Sequence, residues 1–428
     1  MLEQDIAAAD ERDRCAALRQ VNGAADGPIS TILFRFRGIL PLLFLTAAIP
    51  AAAQPANQVE SVHTGEVVIS AQEVATGLDK PWGMTFLPDG RMLVTELPGD
   101  LVIVSPDGKI SQPIEGTPAV FAQGQGGLMD VALHPRFAQN RMVYLSFAEP
   151  GDGATAGTAL GRARLVDNRL EGWEVIWRQE PKVEGPNHFG NRIVFAPDGK
   201  LFLALGERFK FGPAQDVSNT LGTVVRLNDD GTIPRDNPFA GRRGAAGAIW
   251  SYGHRNIESA AIHPDTGQLW VVEMGPLGGD ELNAIERGAN YGWPVVSWGI
   301  NYNGVDIPDP TGYPQFKDAA YTWSPVRSPS GMIVYTGSMF PQWRGDIIFG
   351  ALSAGGIERV DMEGGRVAGT QFIPFNTRIR EVEQGPDGAI YLLTNDREHG
   401  KGAVWRLEPM AVKPPAADGS RSGPFSGN

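Results

Sequence analysis

The stretch Gly83-Met-Thr-Phe-Leu-Pro-Asp-Gly-Arg-Met-Leu-Val-Thr95 decides the fold. Two apolar runs flank Pro-Asp-Gly. Asp-Gly tolerates positive φ and closes a tight turn, so the runs read as the two strands of a hairpin. Neither run alternates cleanly between apolar and polar residues, which predicts strands covered on both faces. The unit recurs as Val131-Ala-Leu-His-Pro135 running to Val143-Tyr-Leu-Ser146, and as Ile193-Val-Phe-Ala-Pro-Asp-Gly-Lys-Leu-Phe-Leu-Ala204. It returns as Ala261-Ile-His-Pro-Asp265 running to Leu269-Trp-Val-Val272, and as Val382-Glu-Gln-Gly-Pro-Asp-Gly-Ala-Ile-Tyr-Leu-Leu393. A degenerate copy, Gly331-Met-Ile-Val-Tyr335 with Asp346-Ile-Ile-Phe-Gly350, lies between the last two. Six units of roughly 40–65 residues predict an all-β fold over 72–408, a six-bladed β-propeller of four-stranded antiparallel blades. A pair of β-sandwiches or a solenoid is the alternative.

Composition agrees with that reading and narrows the function. The 428 residues include 54 Gly and 33 Pro, which supply the turns that many short strands need. The formal net charge of −12 argues against general nucleic-acid binding, so an anionic ligand must meet a local cluster of Arg or Lys. The single cysteine, Cys15, lies near the N-terminus, which excludes disulfides and thiol chemistry from the rest of the chain. Arg35-Phe-Arg37, the apolar run Gly38 to Ile49 and Pro50-Ala-Ala-Ala-Gln54 read as a secretory signal cut near Ala53 or Ala56. The mature domain is then periplasmic or secreted, without membrane insertion; an uncleaved anchor is the alternative. The tail 411–428, rich in Pro, Gly and Ser, reads as disordered. Monomer and homodimer both remain open.

A propeller presents ligands on the loops at one mouth of its channel, so the chemistry is sought between repeats. Of the six histidines, His134 and His263 precede Pro at matching turn positions, and His63 and His399 lie near the domain ends. His188, in Gly185-Pro-Asn-His-Phe-Gly-Asn-Arg192, and His254, in Gly253-His-Arg-Asn256, remain. A neutral imidazole takes a proton near neutral pH, so His188 is a candidate general base; a structural hydrogen-bonder is the alternative. Arg255 and Asn256 offer a cation and an amide to an anionic ligand. Arg378 and Arg380, in Asn376-Thr-Arg-Ile-Arg-Glu381, project from one face of a strand and read either as an anion site or as solvated arginines. The oxygens of Gly275, Pro276, Asp280 and Glu281 suit a hard cation such as calcium, without the spacing of an EF-hand loop.

Together these strings resemble the family of soluble quinoprotein glucose and sorbosone dehydrogenases, and within it the aldose sugar dehydrogenase branch. The strings are Pro81-Trp-Gly-Met84, Gly124-Gln-Gly-Gly-Leu128, His188-Phe-Gly-Asn-Arg192, Gly253-His-Arg-Asn256, Gly275-Pro276, Asn290-Tyr-Gly-Trp-Pro294 and Arg378-Ile-Arg380, in order over about 72–408. The resemblance implies pyrroloquinoline quinone (PQQ) and calcium as cofactors, an aldose as substrate and its lactone as product. His188 then matches the base that takes the anomeric hydroxyl proton as hydride passes to the quinone. Arg255 matches the residue that polarises the quinone oxygen. Gln125, Asn256, Arg378 and Arg380 match contacts to the cofactor, whose carboxylates call for arginines. Gly275 and Pro276 match backbone ligands of the catalytic calcium, and Glu281 and Tyr291 match ligands of a second, structural one. Trp323, with Tyr321 beside it, is a candidate stacking wall for the sugar.

The chain departs from the family pattern in places. The loop Ala351-Leu-Ser-Ala-Gly355 lacks a Lys that often contacts the cofactor, Asn187 stands where the glucose dehydrogenase branch has Asp, and Leu97 replaces an Arg of the first repeat. The first two differences bear on cofactor affinity. Two other readings compete: a calcium-dependent lactonase on the same fold, and a non-catalytic propeller that binds a glycan or a protein. Neither calls for His188 together with Arg255, Arg378 and Arg380.

Overall fold

The computed structural model describes residues 58–396 and 400–410, so the signal segment in 1–53, the tail 411–428 and His399 lie outside the described residues. The repeated hairpins form the first two strands of six antiparallel sheets. The first, inner strands are Pro81–Phe86, Leu128–Leu133, Gly190–Phe195, Ile257–Ile262, Pro329–Val334 and Ile379–Gln384. Each packs beside the next and the last packs beside the first, so six blades close around a channel. This is the six-bladed propeller that the repeat predicts.

The blades vary around four strands. Three sheets have four. In the first blade the fourth place shrinks to a single bridge between Val104 and Ile110. In the second, Arg169–Arg178 and Val183–Glu184 share the fourth place along Thr155–Val166. In the last, Val68–Asp79 pairs with the C-terminal strand Lys401–Pro409, and Gln58–His63 adds a further edge. That pairing ties the start of the domain to its end and leaves the ring without an open seam.

Local chemistry explains the hairpins. In the first, Leu87 N–H donates to Arg91 O (2.7 Å) and Gly90 N–H to Leu87 O (2.9 Å), with Gly90 at φ +84°. The second strands Met92–Glu96, Leu201–Leu205, Leu269–Glu273 and Ile347–Ala351 are buried at every residue. They lie between neighbouring blades, which is why their apolar runs do not alternate.

Every inner strand carries a β-bulge near its start, at Pro81/Met84, Leu128/Val131, Gly190/Arg192, Ile257/Ser259, Pro329/Met332 and Ile379/Glu381. A bulge turns side chains that regular pleating would hide. Here Asp130, Arg192, Glu258, Arg380 and Glu381 meet across the channel. Arg192 pairs with Glu381 and lies 3.3 Å from Asp130, its Nε donates to Glu258 O (2.6 Å), and its guanidinium sits 4.2 Å over Trp82. Burial pushes Glu381 up to about 7 and raises Asp130 as well, with the Arg192 charge opposing both. Arg192→Ala leaves two buried carboxyls without their cation. The expected loss is about 3–5 kcal/mol, read as a lower urea midpoint. Both carboxyls are then raised further, so they destabilise the fold as pH rises and the loss shrinks toward acid pH.

Candidate functional site

His188, Arg255, Asn256 and Arg378 stand just ahead of inner strands, Arg380 at the start of one, and Gly275 and Pro276 just after the second strand Leu269–Glu273, so they gather at one end of the ring. A cavity of about 700 Å³ opens at the other end, among Phe86, Leu133, Phe195, Ile262, Val334 and Gln384; none of the expected site residues lines it.

His188 lies two residues before the third inner strand, is 6% exposed and has φ +52°. Its backbone N–H donates to Gln125 Oε1 (2.7 Å), so the Gln125 side chain holds the His188 backbone. Its Nδ1 lies 2.6 Å from Glu207 Oε1. Glu207 Oε2 accepts from the backbone N–H groups of Phe211 (2.7 Å) and Lys210. Burial would raise the Glu207 carboxyl. The hydrogen bond and charge of His188, with Phe211 N–H and Arg255, outweigh burial and hold it below the usual carboxylate value. An ionised Glu207 accepts from Nδ1–H, which assigns the tautomer and leaves the Nε2 lone pair to take a proton. The His188 pKa is lowered, by burial first and by Arg255 next, with Glu207 opposing. The ring is therefore neutral near neutral pH, as a base must be.

Backbone packing sets this geometry. A Cβ at Gly206 would strike the His188 carbonyl, and one at Gly190 would strike the Leu205 and Gly206 backbone. Only glycine lets the 188–190 turn press against the end of the strand that delivers Glu207.

Arg255 is 3% exposed. Its Nη1 donates to Met274 O (3.1 Å) and Gly275 O (3.0 Å), and its Nη2 to the Tyr302 hydroxyl (2.7 Å). Phe209 stands edge-on to His188 at 5.0 Å and faces Tyr302 at 6.5 Å, so two rings span the space from the imidazole to the guanidinium. Arg380 Nη1 pairs with Glu258 (2.6 Å), and Arg378 Nη1 donates to Leu352 O (3.3 Å), in the loop where the expected Lys is missing. Asn256 is fully buried and braces the blades: Oδ1 accepts from Gly190 N–H (3.1 Å) and Nδ2 donates to Glu258 (3.1 Å).

The residues fit an anionic cofactor. The Nε atoms of Arg255 and Arg380 are buried and make no hydrogen bond. Buried guanidinium N–H groups without acceptors are the donors that an incoming carboxylate or quinone oxygen would satisfy.

The calcium sites are less uniform. Among the described residues no group of three or more His, Cys, Asp or Glu side chains could hold a metal, so backbone oxygens must contribute. The Gly275 carbonyl meets a cation here, but that cation is Arg255. Pro276 is buried beside it. Asp280 is not an open ligand: it accepts from the N–H groups of Gly275 (2.8 Å), Arg327 (2.6 Å) and Ser328 (2.8 Å), while burial lifts it to about 6. Glu281 fits the second site better. A void of about 10 Å³, room for one water-sized occupant, is bounded by Glu273, Glu281, Tyr291 and Ser297. Burial, then the Glu273 charge, push Glu281 far above the usual carboxylate value, and a bound cation would relieve both. The Tyr291 hydroxyl donates to Ala284 O (2.6 Å) and accepts from Glu286 N–H (2.9 Å), which leaves only its backbone carbonyl for a metal.

The stacking wall expected at Trp323 and Tyr321 is not there. Both lie on Tyr321–Trp323, the fourth strand of its blade, paired to Asp280–Ala284. Trp323 is 4% exposed and packs edge-on against Phe349 at 5.1 Å, inside the core between blades. His254 also stands inside the protein: its ring bridges Ser251 Oγ (2.9 Å) and Glu273 Oε1 (2.9 Å), with the three residues almost wholly buried. The order of groups is that of a hydrolytic triad, but burial makes it a brace.

Glu207 and Glu273 escaped the sequence reading. A signal existed, since Glu96, Glu207 and Glu273 all fall at or just past the end of a hairpin's second strand, and each accepts a hydrogen bond from a residue two places ahead of an inner strand.

The glucose/sorbosone dehydrogenase family model matches residues 78–406. The chain is 40% identical over 378 residues to the aldose sugar dehydrogenase YliI of Escherichia coli, covering 87% of this chain and 98% of that protein. It is similar to the crystal structure of the soluble aldose sugar dehydrogenase of Escherichia coli in its apo form, at 40% identity and TM-score 0.77, over 80% of this chain and 100% of that one. It is also similar to the PQQ-bound aldose sugar dehydrogenase of Streptomyces coelicolor, at 28% identity and TM-score 0.66, over 80% and 98% of the two chains. Propeller, channel mouth and likeness agree: the chain belongs to the glucose/sorbosone dehydrogenase family.

Proposed function

We propose that the chain oxidises the C1 hydroxyl of aldoses to lactones with PQQ and calcium, in the periplasm. The supporting observation is the pairing of a neutral, Glu207-held His188 with buried guanidinium N–H groups of Arg255 and Arg380 that lack acceptors. Arg255, Arg378 and Arg380 would hold the cofactor's anionic groups, and Gly275 and Pro276 the calcium beside it. When bound, the quinone supplies the electron acceptor and calcium polarises it. The protein's own part is proton and charge control. His188 Nε2 accepts the proton of the anomeric hydroxyl, and Glu207 stabilises the imidazolium that forms. Arg255, fixed by two carbonyls and the Tyr302 hydroxyl, presents positive charge without reorganising. Phe209 and Tyr302 keep water from the flank of the base. Periplasmic placement rests on the signal-like segment that precedes the domain. A lactonase needs its metal held by channel carboxylates, and here Asp130 and Glu381 are bound to Arg192.

The test is an assay of the purified chain with a panel of aldoses and an artificial electron acceptor. Turnover should require both PQQ and calcium, and EGTA should abolish it and lower the Tm. No activity with any aldose, together with no PQQ-dependent rise in Tm, would overturn the reading.

A further inference from the structure

Next to Glu207 stands a buried cation that the proton chemistry above does not use. Arg208 is 1% exposed, and among the described residues its side-chain hydrogen bonds go only to backbone carbonyls. Nε donates to Asn187 O (2.9 Å), Nη2 to Gly185 O and Nη1 to Ala156 O. The guanidinium lies 3.6 Å from the centre of the Phe189 ring. The Arg208 backbone N–H donates to His188 O (3.1 Å). One residue therefore touches Gly185, Asn187, His188 and Phe189, four of the five residues at 185–189. Burial lowers its pKa to about 10, with the Glu207 charge opposing, so it stays charged near neutral pH.

Such a residue is expensive to keep. A buried cation held by dipoles and a ring face, rather than by a carboxylate, forfeits hydration for modest return. The backbone adds strain: Arg208 (φ +61°), Phe209 (+59°) and Phe211 (+61°) are left-handed without being glycine. Non-glycine residues persist there only where their surroundings over-determine them, and they cluster at functional sites. The opposing turn is equally constrained, with His188 at φ +52° and Asn191 at +96°. Two strained turns face each other, and Arg208 is the clamp between them.

We propose that Arg208 is the positioning residue for the base. It fixes the 185–189 loop so that His188 Nδ1 meets Glu207 and keeps its proton, while Nε2 keeps its lone pair. The proposal rests on His188 as the base, but it concerns the tautomer of an imidazole and can be read without cofactor or sugar.

The experiment uses the full chain labelled with nitrogen-15 in its six histidines, near neutral pH. The His188 signals are identified by their loss in His188→Gln. In the parent chain His188 should show a protonated Nδ1 and a lone-pair Nε2. In Arg208→Met, which keeps bulk but no donor, the two nitrogens should move toward a mixture of tautomers. In Arg208→Lys, which keeps the charge and fewer hydrogen bonds, the shift should be smaller. In the PQQ-loaded enzyme, Arg208→Met should lower kcat by about 10–100-fold. The KM for sugar and the PQQ half-saturation should stay put. Unchanged His188 signals in a folded Arg208→Met overturn the proposal. Failure of both variants to fold overturns it too, because Arg208 would then serve the whole blade. If the parent oxidises no aldose, the functional reading falls, and the tautomer comparison still decides the role of Arg208.

Discussion

His188→Ala should lower aldose turnover by about 10²–10⁴-fold and leave the PQQ-induced rise in Tm in place. The first half follows from the loss of the one imidazole, among the described residues, whose Nδ1 is held by an ionised carboxylate while Nε2 stays available. The second half follows because the cations assigned to the cofactor belong to other segments: Arg255 and Arg378 just ahead of inner strands, and Arg380 on one. Truncation also takes a donor from buried Glu207, which keeps Phe211 N–H and Lys210 N–H. That loss destabilises the fold by about 1–3 kcal/mol and must not be mistaken for lost chemistry. His188→Gln separates the two effects, since its amide can donate to Glu207 but cannot take a proton. Both variants should be equally inactive, with the Gln protein nearer the parent in Tm. Parent-like turnover in either would remove His188 from the mechanism.

The parts of this protein that were legible in its sequence are those written locally. Leu-Pro-Asp-Gly-Arg carries its turn in its own residues, so the hairpins and their count could be read directly. Pairings between distant segments could not. Val68–Asp79 closes the ring against Lys401–Pro409, and nothing in either strand names the other. The six bulges near the starts of the inner strands are also silent. His188 stood out as one of few histidines in a glycine-rich loop, whereas Glu207 is one acid among many until the strand end delivers it to Nδ1. Trp323 misled for a related reason. An aromatic pair near a long inter-repeat segment looks like a ligand wall. A strand edge instead turned one ring into the core between blades and the other, Tyr321, to the rim at 37% exposure.

Glu207→Gln should be nearly as damaging as loss of the base, and its pH profile should carry a signature that simple misfolding lacks. The carboxylate only accepts, so it demands a proton on Nδ1. A carboxamide can turn its N–H₂ toward the ring, which favours the proton on Nε2 and blocks the base. The analogous amide replacement in the Ser-His-Asp triad costs about 10⁴-fold through the wrong tautomer, and a fall in kcat of about 10²-fold or more is expected here. The sign of the pH effect is separate. Burial and Arg255 lower the His188 pKa, while Glu207 raises it. Without Glu207 that opposition is gone, so the His188 pKa falls further. The acid limb of kcat/KM, which reports the free enzyme, should therefore move to lower pH even as the plateau drops. Relative to its own plateau, the variant should keep more activity in mild acid than the parent does. A limb that moves toward higher pH would show that Glu207 does not act on His188 through its charge. An undiminished plateau would show that the tautomer does not depend on it.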